Sequence, residues 1–403
     1  MKQVFQGIKV VDFGLSGVGP LAALYLGNFG ATVVRVESRR SPDPLRTIPP
    51  FKDNVVDVDR AGQFAILNAN KYSITLNLDS PHGVGVAKRL IAWADIVCEG
   101  WVTGSLGKRG LGLEELKKVN PDLIILSTSS EGRSGPRARA KGYGFHLVAG
   151  AGFTQLTGWP DRTPVPPFFA YTDFICARFA ANALIAALLY RQRTGKAQYL
   201  DVSQLEASLQ MLAPIVLDHS VNKRVPKRDG NRSDCMAPHG IYRCRGDDEW
   251  CAIGVFSDKE WDGFCQVLGS PAWTEDPKFA TLPDRKRNED ELNRLVEEWT
   301  INCRAQEVME VMQKAGVPAG VVLKPGEVHN DPQIKHHGYF TKLNHPVMGE
   351  CAYDGLPFKL SKSPAKLHTP APLLGEHTEY ICTEILDMTD EEFAQLSGAE
   401  AFE

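Results

Sequence analysis

An excess of charge of either sign is missing from this chain: 45 lysines and arginines face 49 aspartates and glutamates, a net charge of −4. No chain-wide positive field is available to draw nucleic acid or anionic lipid, and neither is expected as a partner. Paired cysteines are missing too. The nine cysteines are scattered from Cys98 to Cys382 without a C-x-x-C spacing, which argues against a disulfide framework and against structural zinc. A reducing cytoplasm is the expected compartment, with no metal. The opening Met1-Lys2-Gln3-Val4-Phe5-Gln6 lacks the basic start and apolar stretch of a signal peptide, so export is not expected. Uninterrupted apolar runs of membrane length are scarce. The best one, 174–190, is broken by Arg178 and Asn182 and reads as a buried core helix rather than a membrane anchor. A Gly-x-Ser-x-Gly elbow is absent, which removes the usual serine-hydrolase signature.

What is present is an ordinary globular composition over 403 residues, 43% hydrophobic and 23% charged, with 36 glycines and 26 prolines. That length suggests two or three domains. Apolar runs at 7–13, 31–37, 73–78, 96–98 and 123–127 read as strands, and helical patterns at 20–29, 84–94 and 113–119 alternate with them. Such alternation predicts an α/β fold, a Rossmann-like, doubly wound, mostly parallel sheet with helices on both faces. The pattern changes near 223 into strands and amphipathic helices of a smaller α+β domain. The expected organisation is 1–222 in a large domain, 223–330 in the small one, and 331–403 returning to the large one. No internal repeat is visible.

The first strand runs into Gly14-Leu15-Ser16-Gly17-Val18-Gly19-Pro20, and the second ends in Glu37. This imitates a dinucleotide site with its ribose-binding acid, and an NAD-dependent oxidoreductase is one alternative it raises. The order is G-x-x-G-x-G rather than G-x-G-x-x-G, so the glycine that packs helix on strand is out of place. The simpler reading is a tight strand-to-helix turn with Pro20 at the first helical position.

A set of segments in consistent order along nearly the whole chain resembles the class III CoA-transferases. They are Gly7-Ile8-Lys9-Val10-Val11-Asp12, Gly19-Pro20, Gly30-Ala31 leading to Val36-Glu37, Asn70-Lys71, Ala94-Asp95-Ile96-Val97, Leu111-Gly112-Leu113 and Asn120-Pro121. Farther on come Thr194-Gly195-Lys196-Ala197-Gln198 before Asp201-Val202-Ser203, then Gly316-Val317-Pro318-Ala319-Gly320, and Leu374-Gly375-Glu376-His377-Thr378. The resemblance implies a large Rossmann-like domain built from both ends of the chain, and an interlocked homodimer whose monomer is not independently stable. A complex with a related second subunit is the other arrangement the family uses.

It also implies the nucleophile. In that family an aspartate stands just ahead of a long apolar helix followed by R-x-x-T-G-x-G-Q. Here that position is Asp173, with Arg191-Gln192-Arg193-Thr194-Gly195-Lys196-Ala197-Gln198 downstream. A carboxylate suits the chemistry, because attack on a donor thioester gives a mixed anhydride and frees CoA thiolate, which then returns to make an aspartyl-CoA thioester. Taken without the resemblance, Asp173 reads as a helix N-cap.

Coenzyme A carries phosphates, an adenine and a thin arm, so its site needs cations, a flat partner and open backbone. The resemblance carries contact positions onto Gly17 (where relatives have glutamine) and Val18, onto Arg39 with Arg40 beside it, and onto Asn77 and Leu78. It carries others onto Gly100, Trp101, Lys108, Arg109, Lys141 and Tyr143. Surface charge is the plain alternative for the arginines and lysines, and packing for Trp101.

The related α-methylacyl-CoA racemases use a histidine upstream of the aspartate. The register puts Gly142 there, and His146 reads as a core histidine, so CoA transfer is favoured over racemisation. The expected donor is succinyl-CoA. A basic run of Arg224, Lys227, Arg228 and Arg232 points toward an acceptor with more than one carboxylate, such as the aromatic dicarboxylate benzylsuccinate.

Overall fold

The structure, a computed structural model, describes residues 3–402. The chain falls into two compact units, the first comprising 1–155, 165–226 and 335–403, the second 156–164 and 227–334.

The first unit is built on six parallel strands: β1 (Lys9–Phe13), β2 (Thr32–Glu37), β3 (Tyr72–Thr75), β4 (Ile96–Glu99), β5 (Ile124–Ser129) and β6 (Tyr199–Ser203). Their spatial order is β3-β2-β1-β4-β5-β6. The strands are near-continuous apolar runs because both faces of the sheet are covered. Alternate residues turn to opposite sides. Val10, Val33, Ile96 and Ile124 join one buried cluster with helices α1 (Val18–Asn28), α2 (Gly62–Asn68) and α7 (Tyr171–Thr194). Val11, Val34, Val97 and Ile125 join another with α3 (Pro81–Trp93) and α4 (Leu113–Val119). Short helices α5 (Gly144–Gly150) and α6 (Phe153–Leu156) precede α7, and α8 (Gln204–Leu209) and α9 (Ala213–Asn222) follow β6. A hairpin of β10 (Phe340–His345) and β11 (Gly349–Asp354) comes from the C-terminal part of the chain.

The predicted α/β alternation is what the sheet displays, with differences at element ends. Helix α1 begins at Val18, so Pro20 is its third residue rather than its first. Among the described residues α7 is the one helix long and apolar enough to cross a membrane. Cys176, Ala177, Ala180, Ala181, Leu184 and Ala187 nonetheless lie in the sheet-side core, which makes it a core helix. Its small residues let it lie close to its neighbours, while Phe179, Ile185, Leu189 and Tyr190 remain exposed on the other flank.

The second unit has an antiparallel sheet of β7 (His239–Arg243), β8 (Trp250–Gly254) and β9 (Ala319–Val321) with helices α10 (Asp258–Val267), α11 (Leu282–Arg287), α12 (Glu289–Thr300) and α13 (Ala305–Lys314). Its own core of Trp261, Phe264, Phe279, Leu292, Val296, Val308 and Met312 makes it a separate α+β body.

Candidate active site

Strand order reverses between β1 and β4, and in open α/β sheets ligands bind in the crevice beyond the carboxyl ends of the strands at such a switch point. The turn 14–19 leaves β1 at that crevice, and buried charges hold it in place. Asp12 accepts from the Gly14 N–H at 2.9 Å, Arg35 donates to the Gly14 carbonyl, Asp43 accepts from the Ser16 N–H at 3.0 Å, and Lys71 donates to the Pro20 carbonyl at 2.8 Å. Lys71 Nζ and Arg35 Nη1 lie 3.0 and 3.1 Å from the Asp12 carboxylate. Burial pushes Asp12 up, but these two cations and the hydrogen bonds outweigh it and hold its carboxyl below the usual range.

Asp173 sits across this turn. It lies in the first turn of α7, two residues inside the helix, and its N–H bonds to the Ala170 carbonyl at 2.9 Å. Ala170 is the cap, so the N-cap reading of Asp173 is corrected: the helix starts at Tyr171, which frees the carboxylate to point away from the helix end. Oδ1 accepts from the Gln204 side-chain amide, and Gln204 also donates to Thr172 Oγ1 at 2.9 Å, which in turn reaches the Gly144 carbonyl at 3.3 Å. Among the described residues, no cation is within ion-pair distance of this carboxylate. Burial therefore dominates, opposed by the Gln204 hydrogen bond, and its pKa is pushed up to about 6.

Two glycines make room for the group. A Cβ on Gly17 would stand 2.8 Å from Oδ2, and one on Gly144 would stand 2.5 Å from Oδ1. The carboxylate is thus open on both sides only because neither neighbour has a side chain. Cys176, one turn along the helix, is no competing nucleophile, since burial and then Asp173 push its thiol up to about 12.

On one side of Asp173 lies a polar cavity of about 400 Å³ that brings together Gly17, Val18, Gly100, Trp101, Lys141 and Tyr143. An adjoining cavity of about 260 Å³ contains Leu78, Trp101, Arg109 and Arg40. The Trp101 indole N–H donates to the Phe13 carbonyl at 2.8 Å, and the Arg109 guanidinium lies 5.3 Å from its ring centre while pairing with Asp79 at 2.9 Å. The other predicted positions lie outside these two cavities. Arg39 is exposed against Gly375, and Lys108 is exposed on a short turn. Asn77 is buried, with its side chain taken up by the Asp79 N–H at 3.2 Å.

Several residues at the site were not singled out from sequence. Gln204 is one; Ser16, Thr128 and Ser130, which line the polar cavity, are others. Arg133 is a third kind: it turns inward to the Glu99 carboxylate and the Trp101 carbonyl, and its N–H bonds to Asp201 at 3.0 Å, which pins the start of the basic segment 133–141. His146 is exposed rather than in the core, its Nδ1 accepting from the Tyr143 N–H at 3.4 Å on a short surface helix. Of the basic run, Arg224 pairs with Asp218 at 3.9 Å and Arg232 with Glu289 and Asp290.

The dinucleotide alternative meets a specific obstacle. Glu37, its ribose-binding acid, is buried and held bidentately by Arg46 at 2.8 and 2.9 Å, so its oxygens are not offered to a sugar. The fold and the crevice define a doubly wound α/β enzyme of another kind. Comparison with known proteins gives its family: the chain belongs to CoA-transferase family III, whose family model matches residues 5–378. It is similar to a succinyl-CoA–D-citramalate CoA-transferase of Chloroflexus aurantiacus, at 32% identity over 97% of this chain and 96% of the relative. It is similar also to a mouse succinyl-CoA:glutarate CoA-transferase, at 30% identity over 94% of this chain and 86% of the relative. Among solved structures, a CAIB/BAIF family protein from Brucella suis superimposes with a TM-score of 0.87 at 31% identity, covering 96% of this chain and all of that one. The chain is a class III CoA-transferase, and acyl-CoA and a carboxylate are its substrates.

Proposed function

We propose that this enzyme moves CoA from succinyl-CoA to a carboxylic acid acceptor, with Asp173 as the covalent relay. The Asp173 carboxylate attacks the donor thioester carbonyl, giving a mixed anhydride and CoA thiolate. The thiolate attacks the aspartyl carbonyl of the anhydride, which expels succinate and leaves an aspartyl-CoA thioester. The acceptor carboxylate attacks that thioester, giving a second anhydride and thiolate again. Attack of the thiolate on the acceptor's carbonyl releases the new acyl-CoA and restores Asp173. No step is lost to water, so the thioester's free energy is retained.

The observation that carries this reading is a carboxylate with no ion-pair partner among the described residues, open on both sides between Gly17 and Gly144. Its raised pKa makes it a better nucleophile than an ordinary surface aspartate while leaving it ionised at neutral pH. Gly142 occupies the place of the racemases' histidine, and His146 faces outward, which favours transfer over proton exchange. Lys141 and the open backbone at Gly17, Val18 and Gly100 suit the arm and phosphates of CoA, and Trp101 with Arg109 suits its nucleotide end. A homodimer belongs to the same proposal. Its support is the exposed apolar flank of α7 beside a cavity of about 930 Å³ lined by Phe5, Tyr25, Phe29, Leu188 and Phe358.

Mass spectrometry of the peptide bearing Asp173, after hydroxylamine is added during turnover, should find a hydroxamate at that residue. Asp173→Ala and Asp173→Asn should each lower transfer by at least about a thousandfold while the fold persists. Near-normal turnover by either variant, or product without any modified peptide, defeats the proposal.

A further inference from the structure

Much of the polar cavity beside Asp173 is walled by two separate stretches of chain, 100–103 following β4 and 128–143 at and after the end of β5. Trp101 comes from the first, Arg137 and Lys141 from the second. Facing loops keep a fixed spacing only if something outside the cavity ties them together. Arg133 does so. It is not part of the lining; with its partner Glu99 it lines a smaller space of about 250 Å³ that shares Val102 and Thr103 with the polar cavity.

Glu99 is the last residue of β4, in register with Ser127 on β5. Its Oε2 accepts from the Trp101 N–H at 3.1 Å, and its Oε1 accepts from the Ser127 hydroxyl and from Arg133 Nη2. The guanidinium is 11% exposed and forks between the two walls, Nη1 donating to the Trp101 carbonyl at 2.6 Å and Nη2 to the Thr128 carbonyl at 3.2 Å. The Arg133 backbone N–H bonds to Asp201 on β6 at 3.0 Å, so the fork has a fixed base. With its charge matched by Glu99, Arg133 is not offered to a phosphate, and what it supplies is the planar geometry of its donors. A second tie, from Thr103 Oγ1 to the Ala138 carbonyl at 2.7 Å, joins the same two stretches farther along.

Resting on the placement of CoA in this cavity proposed above, we infer that Arg133 is a positioning residue for acyl-CoA: held by Glu99, its fork sets the spacing of the Trp101 and Lys141 walls, and with it the affinity for the CoA moiety, without touching the ligand. CoA stays seated while the carbonyls react, so this support serves ground state and transition state alike. Its loss therefore falls on KM and leaves kcat in place. The Asp173 carboxylate is set by other groups, the Gln204 amide and the clearances at Gly17 and Gly144.

The test uses Arg133→Lys, in which a point charge keeps the pair with Glu99 but cannot also reach both carbonyls. Full-length parent and variant are titrated with free CoA by calorimetry, and the exchange of isotopically labelled succinate into succinyl-CoA gives KM and kcat. Arg133→Lys should unfold close to the parent's temperature, yet raise the Kd of CoA and the KM for succinyl-CoA by about tenfold with kcat unchanged. The double variant Glu99→Gln with Arg133→Gln leaves no unpaired buried charge, so it tests the same tie if the lysine variant folds poorly, and it should raise both constants at least as much. Unchanged constants in a folded variant, or a loss confined to kcat, would overturn the inference. Lys141→Ala, on the wall itself, separates it from the reading beneath it. If that variant raises the Kd of CoA and the Arg133 variants do not, the inference alone fails; if it leaves the Kd unchanged, the placement of CoA fails and takes the inference with it. Absence of exchange in the parent defeats the succinyl-CoA reading, and the calorimetry then decides the role of Arg133 by itself.

Discussion

Asp12 and Asp173 are both withdrawn from water within a few residues of the same turn, yet they are furnished in opposite ways. Asp12 has Lys71 and Arg35 within 3.1 Å and an N–H from Gly14, and its carboxyl is held below the usual range. Asp173 has one neutral amide, from Gln204, and is pushed up to about 6. The difference separates a carboxylate whose charge is spent in holding a loop from one left without a cation, as the proposed nucleophile requires. A carboxylate buried beside two cations is stabilised in its ionised form and made less nucleophilic, whereas one buried without them keeps a higher pKa.

The comparison can be broken most forcefully at Asp12. Lys71→Met leaves the buried carboxylates of Asp12 and Asp43 with Arg35 as their one shared cation, and should cost about 3–5 kcal/mol of stability, read from urea unfolding. A variant as stable as the parent would show that the network beneath the turn is not what holds it. The effect on Asp173 is different in kind and somewhat smaller. Its folded pKa lies above the ordinary 3.8, so the folded state binds the extra proton and its stability falls as pH rises from about 4 to about 6. The contribution amounts to about 2–3 kcal/mol. Asp173→Asn removes it, so the difference in stability between variant and parent should grow in the variant's favour over that interval and then stay level. Asp12 has the reverse sign, because its stabilisation is present above the ordinary aspartate range and is lost on acidification. A flat difference between Asp173→Asn and parent from pH 4 to 8 would contradict the environment described for Asp173.

The smallest effect is expected at Gln204, a positioning residue. Gln204→Ala removes the hydrogen bond that favours the ionised form, so the acid-side midpoint of kcat/KM against pH should lie higher in the variant than in the parent. Activity at neutral pH should fall by about tenfold, the equivalent of one lost hydrogen bond to a charge. Gln204→Glu should not rescue it, since it sets a second acid against the first. An unmoved pH profile would assign Gln204 a packing role only.

Much of the first unit was legible because most of the parallel strands are short apolar runs, and a sheet covered on both faces requires such runs. The turn 14–19 could be located in the same way, whereas Asp173 was singled out by the family resemblance. Helix ends could not. Tyr171 and Thr172 carry no starting signal, so the helix was expected to begin after Asp173 and the acid was read as its cap. The partners of each charge were also hidden. Glu37 looks like a ribose acid until Arg46, nine positions on, folds back to it. Arg133 finds its partners only where β4 and β6 bring Glu99 and Asp201 together. Gln204 follows β6 and meets Asp173 only because β6 lies at the sheet edge beside β5. His146 was expected inside because its neighbours are apolar, but a seven-residue surface helix leaves it outside.

The helix that bears Asp173 is a rod of 24 residues, roughly 36 Å from end to end. Its far end is staked down as well, by Arg191 to the Asp95 carboxylate at 2.7 Å and to the Asp122 carbonyl at 3.0 Å. The direction in which the Asp173 carboxylate points is therefore not a local property of the first turn. It is inherited from a lever fixed at its opposite end, so that a disturbance at Arg191 reaches the carboxylate oxygens as a change of angle, which is where the proposed relay would register it.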